Sequence, residues 1–315
     1  MSTVATRPTG PPSGAQAAAP APRRRRRPVR EGGHALAFLT PSLLGLGLFT
    51  LLPCALAVAM SFFDWPALGT PRFVGLANYA KMFGESGQFG AALRNTVLYA
   101  VVIVPLNLVF TLGAALWIAR SRFRNVYRVL FFLPVVTPVV ATTVVWKLLY
   151  QPHGIIDQVL AGIGVDAPNF LGDPHTAMGS VILASLWQGF GYNMLIFSAA
   201  IDQLPDAVLE AAEVDGCTGL RRVLRITVPL LSPSIFFATT VTMIQALQVF
   251  AEPLILTAGG PGSSTVTVVM NVYQTAFLDG NLGLAAAVAW VLFALIMIVT
   301  GVQWRGQKRW VHYEH

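Results

Sequence analysis

Apolar residues along this 315-residue chain gather into long runs, set apart by short polar and often basic segments. Six of the runs approach or exceed the roughly 20 residues that a helix needs to cross a bilayer. They predict spans at about Ala35–Phe63, Leu93–Ala119, Tyr127–Tyr150, Thr176–Ala200, Ser232–Ala258 and Leu282–Trp304. Pro41, Pro53, Pro105, Pro134 and Pro138 fall inside these spans. Membrane helices tolerate such prolines because neighbouring groups satisfy the freed backbone carbonyls. The fold class this predicts is an all-α membrane protein with six transmembrane helices.

The polar segments set the direction of each span. Between the second and third runs lie Arg120, Arg122, Arg124 and Arg128, and between the fourth and fifth lie Arg221, Arg222 and Arg225. Arg305, Lys308 and Arg309 follow the sixth. The opposite loops, 151–175 and 259–281, hold no Lys or Arg, and only the first outer loop is mixed, with Arg72, Lys81 and Arg94. By the positive-inside rule, both termini are expected in the cytoplasm. Residues 1–33, rich in Pro, Ala, Gly and Arg, predict a disordered basic tail, residues 34–305 a membrane domain, and 306–315 a short cytoplasmic tail.

Composition agrees with the pattern. Hydrophobic residues make up 55% of the chain and charged residues 11%, against about 25% charged in an ordinary soluble domain. The net charge of +7 is not spread over a nucleic-acid-binding face: seven of the 21 basic residues precede residue 31, including the run Arg23 to Arg27. Directly ahead of an apolar span, such a run suits anionic lipid and cytoplasmic retention, so no nucleic-acid partner is expected. Cys54 and Cys217, far apart, offer neither a disulfide framework nor a metal cluster. The first apolar run is too long for a cleaved signal peptide and lacks a small-residue cleavage site.

The most informative segment is the basic loop at 203–229. Within Leu204-Pro205-Asp206-Ala207-Val208-Leu209-Glu210-Ala211-Ala212-Glu213-Val214-Asp215-Gly216, Pro205 suits a first helical turn. Asp206 favours the positive end of the helix dipole, and Gly216 is a natural stop. Leu204, Val208, Ala211 and Ala212 share one face. A second short helix is predicted from Thr218, with Leu220, Val223 and Leu224 on one side, Arg221, Arg222 and Arg225 on the other, and Pro229 ending it. A helix-turn-helix should therefore project into the cytoplasm.

Glu210-Ala211-Ala212, with Gly216 following and Ile226 and Pro229 after a nine-residue gap, resembles the EAA loop of ABC importer permeases; Val228 stands where that family usually has Leu. Other segments resemble the maltose-type sugar permeases: Phe73-Val74-Gly75-Leu76-Ala77-Asn78-Tyr79 with Asn95-Thr96, Phe132-Leu133-Pro134 with Trp146, and Leu256-Thr257-Ala258-Gly259-Gly260-Pro261 with Thr265, Tyr273 and Ala276-Phe277. The likeness covers roughly residues 35 to 305 and implies the type I permease fold. It also implies that Glu210, Ala211, Ala212, Asp215, Gly216, Arg221, Arg222, Ile226 and Pro229 form coupling helices that dock on a cytoplasmic ATPase. The partners implied are a second homologous permease, two ATPase subunits and an extracellular solute-binding protein, all at the bacterial inner membrane. Known cargoes of the group are oligosaccharides, some monosaccharides, and glycerol phosphates or their diesters.

Polar groups inside spans are costly, which makes them candidates for cargo contact. Gln245, Gln248 and Glu252, three and four residues apart, would share one face of a continuous fifth helix. Glu252 would lie about 9 Å below its outer end at 1.5 Å per residue, where a carboxylate costs up to about 2.5–3.5 kcal/mol. That face either lines a passage or joins helices. In the fourth span, Trp187, Gln188, Tyr192 and Asn193 offer aromatic faces and amides suited to a sugar, or simply to packing. Lys147, near an outer end, is expected to snorkel.

A secondary transporter or channel would share the spans and the loop bias. It would more usually carry paired interrupted helices or a chain of intramembrane ionisable groups, and Glu252 with Lys147 does not make one. No H-E-x-x-H motif and no G-x-x-x-x-G-K-[ST] motif is present. Neither catalytic nor metal-binding residues are expected, and ATP with Mg would be bound by the partner ATPase.

Overall fold

A computed structural model describes residues 31–84 and 88–308. The basic tail lies outside the described residues as far as residue 30, and residues 31–33, expected within it, belong to the first helix. The C-terminal tail is described only to Lys308, and its first residues complete the last helix.

The described residues divide into two compact units, one ending at Pro53 and one beginning at Cys54. In the first, α1 (Glu31–Leu46) passes through one wide turn at Gly47–Leu51 into α2 (Leu52–Ser61). In the second, α2 ends at a small antiparallel pair, β1 (Phe63–Asp64) and β2 (Arg72–Phe73), with Phe63 opposite Phe73 and Asp64 opposite Arg72. Then come α3 (Ala77–Met82), α4 (Phe89–Ala119), α5 (Arg124–Val136), α6 (Val139–Leu149), α7 (Ile155–Gly162) and α8 (Pro174–Ile201). After these, α9 (Asp206–Val214) and α10 (Gly219–Arg222) are joined through a wide turn at Val223–Thr227 to α11 (Val228–Leu230). The last elements are α12 (Ser232–Leu247), α13 (Ala251–Thr257), α14 (Val268–Tyr273) with a wide turn at Gln274–Leu278, and α15 (Leu282–Gln307).

Among the described residues, four helices are long and apolar enough to cross a membrane unbroken: Phe38–Ser61, Phe89–Ala119, Pro174–Ile201 and Leu282–Gln307. Two further spans are bent pairs, α5 with α6 at 94° and Gly219–Leu230 with α12 at 72°. Counting each pair as one span gives six.

The third and fifth spans expected, Tyr127–Tyr150 and Ser232–Ala258, are interrupted within, and a proline accompanies each break. The fifth is interrupted between α12 and α13 and not at the 72° bend that precedes it. A helical proline removes one N–H and crowds the carbonyl four residues earlier. At Pro138 the preceding Thr137 turns to extended backbone, φ −76° and ψ 136°, as a residue before proline favours. The carbonyl of Pro134, which loses its donor four residues on, accepts from Thr137 N–H at 3.2 Å and from the Gln188 side-chain amide at 2.7 Å. In the fifth span the helix ends at Leu247, Gln248 and Phe250 leave helical geometry, and α13 restarts at Ala251. Pro253 would crowd the carbonyl of Val249 in a continuous helix, and that carbonyl accepts from the Thr267 hydroxyl at 2.8 Å.

The core sits where α4, α8 and α12 meet. Near the basic loops it is filled by Ala115, Ile118, Met194, Phe197 and Ala238, and further along by Tyr99, Ile103, Val181, Leu247 and Leu256. With no hydrophobic drive between helices in lipid, close backbone approach and buried hydrogen bonds hold such a bundle. Gly191 of α8 is such a contact: a Cβ there would stand 2.1 Å from the Phe131 carbonyl oxygen of α5.

Candidate functional site

At the basic-loop end, α9 opens on Pro205 and closes through a Schellman arrangement. Gly216 takes φ +69°, Cys217 N–H donates to Ala212 O at 2.8 Å, and Gly216 N–H donates to Glu213 O at 3.0 Å. Thr218 then starts α10. Arg222 pairs with Glu213 and clasps the two helices together. Ala212 is buried, whereas Glu210, Ala211, Asp215, Gly216 and Arg221 are exposed. Ile226 and Pro229 are half-buried. α11 ends at Leu230, one residue past Pro229, and the 72° bend follows. Val208, Val214, Leu220 and Leu224 leave apolar surface exposed on this projection.

Inside the bundle lies a cavity of about 520 Å³. Its wall combines Tyr99 and Asn107 of α4 with Ser185, Gln188, Tyr192 and Asn193 of α8. Thr242 and Gln245 of α12 and the broken stretch from Gln248 to Glu252 complete it. Six of the seven residues proposed from sequence for the cargo path thus converge. Gln245, Gln248 and Glu252 do so without the continuous helix that was expected, because the break turns Gln248 and Glu252 into the cavity wall.

Trp187 does not line it. That ring packs edge-on against Trp146, centroids 5.9 Å apart, along a separate apolar groove. The exposed Lys147 ammonium donates to Ile255 O at 2.8 Å, near the carbonyl end of α13. Sequence reasoning missed Tyr99, Asn107, Ser185 and Thr242. Asn107 carried a usable signal as an amide inside an apolar run, and its partner explains it. Asn193 Nδ2 donates to Asn107 Oδ1 at 2.5 Å and to Thr242 Oγ1 at 2.8 Å, tying α8 to α4 and α12. Asn193 Oδ1 and Gln188 Oε1 remain without a protein partner among the described residues.

The motif residues at the opposite end hold loops together. Asn78 Nδ2 donates to the carbonyls of Ser61 and Phe63, and Tyr79 OH donates to Ser61 Oγ. Asn95 Nδ2 donates to Ser263 O and Val266 O, while Thr96 Oγ1 accepts from Val268 N–H.

Residues 111–310, which include the projecting helix pair, match the family described as the binding-protein-dependent transport system inner membrane component. The chain belongs to that family. A probable ABC transporter permease protein of Bacillus subtilis, YesP, is 33% identical over 283 residues, covering 88% of this chain and 91% of its own. The sulfoquinovosyl glycerol transport system permease protein SmoG of Agrobacterium fabrum is 35% identical over 277 residues, covering 86% and 89%. The fold is similar to a chain of a bacterial alginate ABC transporter solved with an alginate pentasaccharide-bound periplasmic protein. That match has a TM-score of 0.79 at 20% identity over 89% of this chain and 96% of that one. The protein is thus a multi-pass membrane component of a transport system with the type I permease fold, and its projecting helix pair and internal cavity are features of a permease.

Proposed function

We infer that this permease imports a sugar without fixed negative charge, driven by ATP that a separate subunit hydrolyses and supplied by an external binding protein. The cavity carries this reading. Its polar lining is amide, hydroxyl and phenol groups, which pair with sugar hydroxyls, and Tyr99, Tyr192 and Phe250 supply ring faces. Among the described residues, Glu252 is the one acidic side chain in the wall, with no Lys or Arg to meet an anion. A carboxylate there opposes a phosphate or uronate by like-charge repulsion. The sugar-derived cargo in SmoG's name supports sugar import; its sulfo group is anionic, so the neutral charge rests on the cavity alone.

The basic loops favour placing the helix pair in the cytoplasm. There its exposed apolar side chains and the Glu210–Gly216 surface suit a groove on an ATPase. Two such ATPases, with a second homologous permease closing the passage, make the assembly that alternating access needs. No ATP or metal is assigned to this chain, whose sequence has no phosphate-binding loop.

The test uses the complete importer in proteoliposomes with its binding protein, offered neutral oligosaccharides, uronate oligosaccharides and glycerol phosphates. ATP-dependent uptake is expected for neutral sugars alone. In a Gln248→Ala/Glu252→Gln variant, losing one charged and one neutral hydrogen bond should cost about 2 kcal/mol or more. Uptake at saturating loaded binding protein should then fall at least about tenfold, with ATPase activity retained. Preferred uptake of an anionic cargo, or unchanged uptake in the double variant, would refute the reading.

A further inference from the structure

We propose that Asp202, gripped by Arg128 and Arg124, is the positioning joint through which movement of the projecting helix pair reaches the cavity wall. The proposal rests on the ATP-driven reading above.

Asp202 caps the carboxyl end of α8, four residues before α9 begins. A carboxylate at that end faces the negative pole of the helix dipole and is unfavourable there by itself. Two cations from the first turns of α5 compensate it. Arg128 Nη2 donates to Asp202 Oδ2 at 2.7 Å, and Arg124 Nη1 lies 3.6 Å from Oδ1. The grip extends one turn deeper, where Arg128 Nε donates to the buried Ser198 hydroxyl at 2.7 Å. With a side chain only 20% exposed, Arg128 makes charge-assisted bonds to two groups of α8. This differs from a loose surface pair, whose typical contribution is near 0–1 kcal/mol.

The same two helices are fastened again at the cavity. Gln188 of α8 donates to the carbonyls of Pro134 and Thr137 at the end of α5, at 2.7 and 3.2 Å. Between these ties Gly191 lets the backbones touch. Bound at both ends of α5 and in its middle, α5 and the C-terminal half of α8 form one block whose far end, Val135 with Gln188, is cavity wall. The joint lies at the other end, beside the short 203–205 link to α9. Force applied to α9 enters the block through that link, and the bridge keeps the last turn of α8 from fraying under it. Without the bridge the link can yield while the block stays still, so ATP is hydrolysed and cargo is left behind.

The experiment measures cargo moved per ATP by the whole importer in proteoliposomes. Variants are Asp202→Asn, Arg128→Ala, Arg128→Lys and the exchange Arg128→Asp/Asp202→Arg. Asp202→Asn and Arg128→Ala should assemble and hydrolyse ATP near the wild-type rate, yet move about tenfold less cargo per ATP, a loss of about 1.4 kcal/mol in coupling. Arg128→Lys and the charge exchange should recover much of that ratio. An unchanged ratio in both single variants overturns the proposal. So does a fall in uptake that only tracks a fall in assembled complex, because that assigns the bridge to stability. Absence of ATP-dependent uptake in the wild type would instead overturn the importer reading itself.

Discussion

Gly191→Ala adds one methyl group where α8 presses on α5. The new Cβ would lie 2.1 Å from the Phe131 carbonyl oxygen and 2.8 Å from the Phe132 Cα, where ordinary contact begins at 3.4 Å. Both opposing atoms are backbone, so no side chain can rotate aside and the helices must part by about 1.3 Å, an overpacking that costs about 1–3 kcal/mol. Alanine returns about 0.8–1 kcal/mol of helix preference. The net expectation is a loss of about 0–2 kcal/mol, or a fall of up to roughly 8 °C in melting midpoint at about 2–4 °C per kcal/mol. Gly113→Ala and Gly179→Ala supply the control, since a Cβ at either meets nothing within 4 Å. They should be neutral or stabilise by up to about 1 kcal/mol. Unfolding of the detergent-purified protein, followed by fluorescence, reads all three. A midpoint for Gly191→Ala equal to or above that of the two controls would falsify the close-approach account of α5 and α8.

With Cys54 and Cys217 replaced by Ser, Val214→Cys should react with a membrane-impermeant maleimide only in inverted vesicles, and Ile163→Cys only in intact cells. Both positions are well exposed, so labelling from one common side would remove the six-span orientation. Gly216→Val forces a β-branched residue to φ +69° and should cost about 1–2 kcal/mol locally, as a left-handed backbone does for L-residues. The expected result is normal membrane insertion with reduced ATPase co-purification and uptake. Full co-purification and uptake would mean that the loop tolerates a broken helix stop and does not present a precise docking surface.

Much of the fold was legible because bilayer thickness fixes how long an apolar run must be, and that length is written locally in the chain. The projecting helix pair was legible for a similar reason. Its stop depends on Gly216 and on hydrogen bonds between residues three to five apart, so neighbours in sequence carry the information. The cavity was only half legible. Polar residues in apolar runs marked Gln188, Asn193, Gln245 and Glu252, but Asn107 gains its place from Asn193, 86 positions away.

Proline shows where sequence stops deciding. Pro105 sits within an unbroken α4, whereas Pro138 marks a 94° bend and Pro253 follows the interruption between α12 and α13. The residue and its local chemistry are the same each time: one N–H is lost and one carbonyl is crowded. At two of these sites a side chain from another part of the chain bonds to the crowded carbonyl, Gln188 to Pro134 and Thr267 to Val249. The sequence by itself thus determined where the chain could cross the membrane and where the crossing was weak. Which weak points opened, and so which polar groups face the cavity, was decided only in the packed bundle, because a broken helix persists in lipid only where another segment arrives to satisfy its backbone.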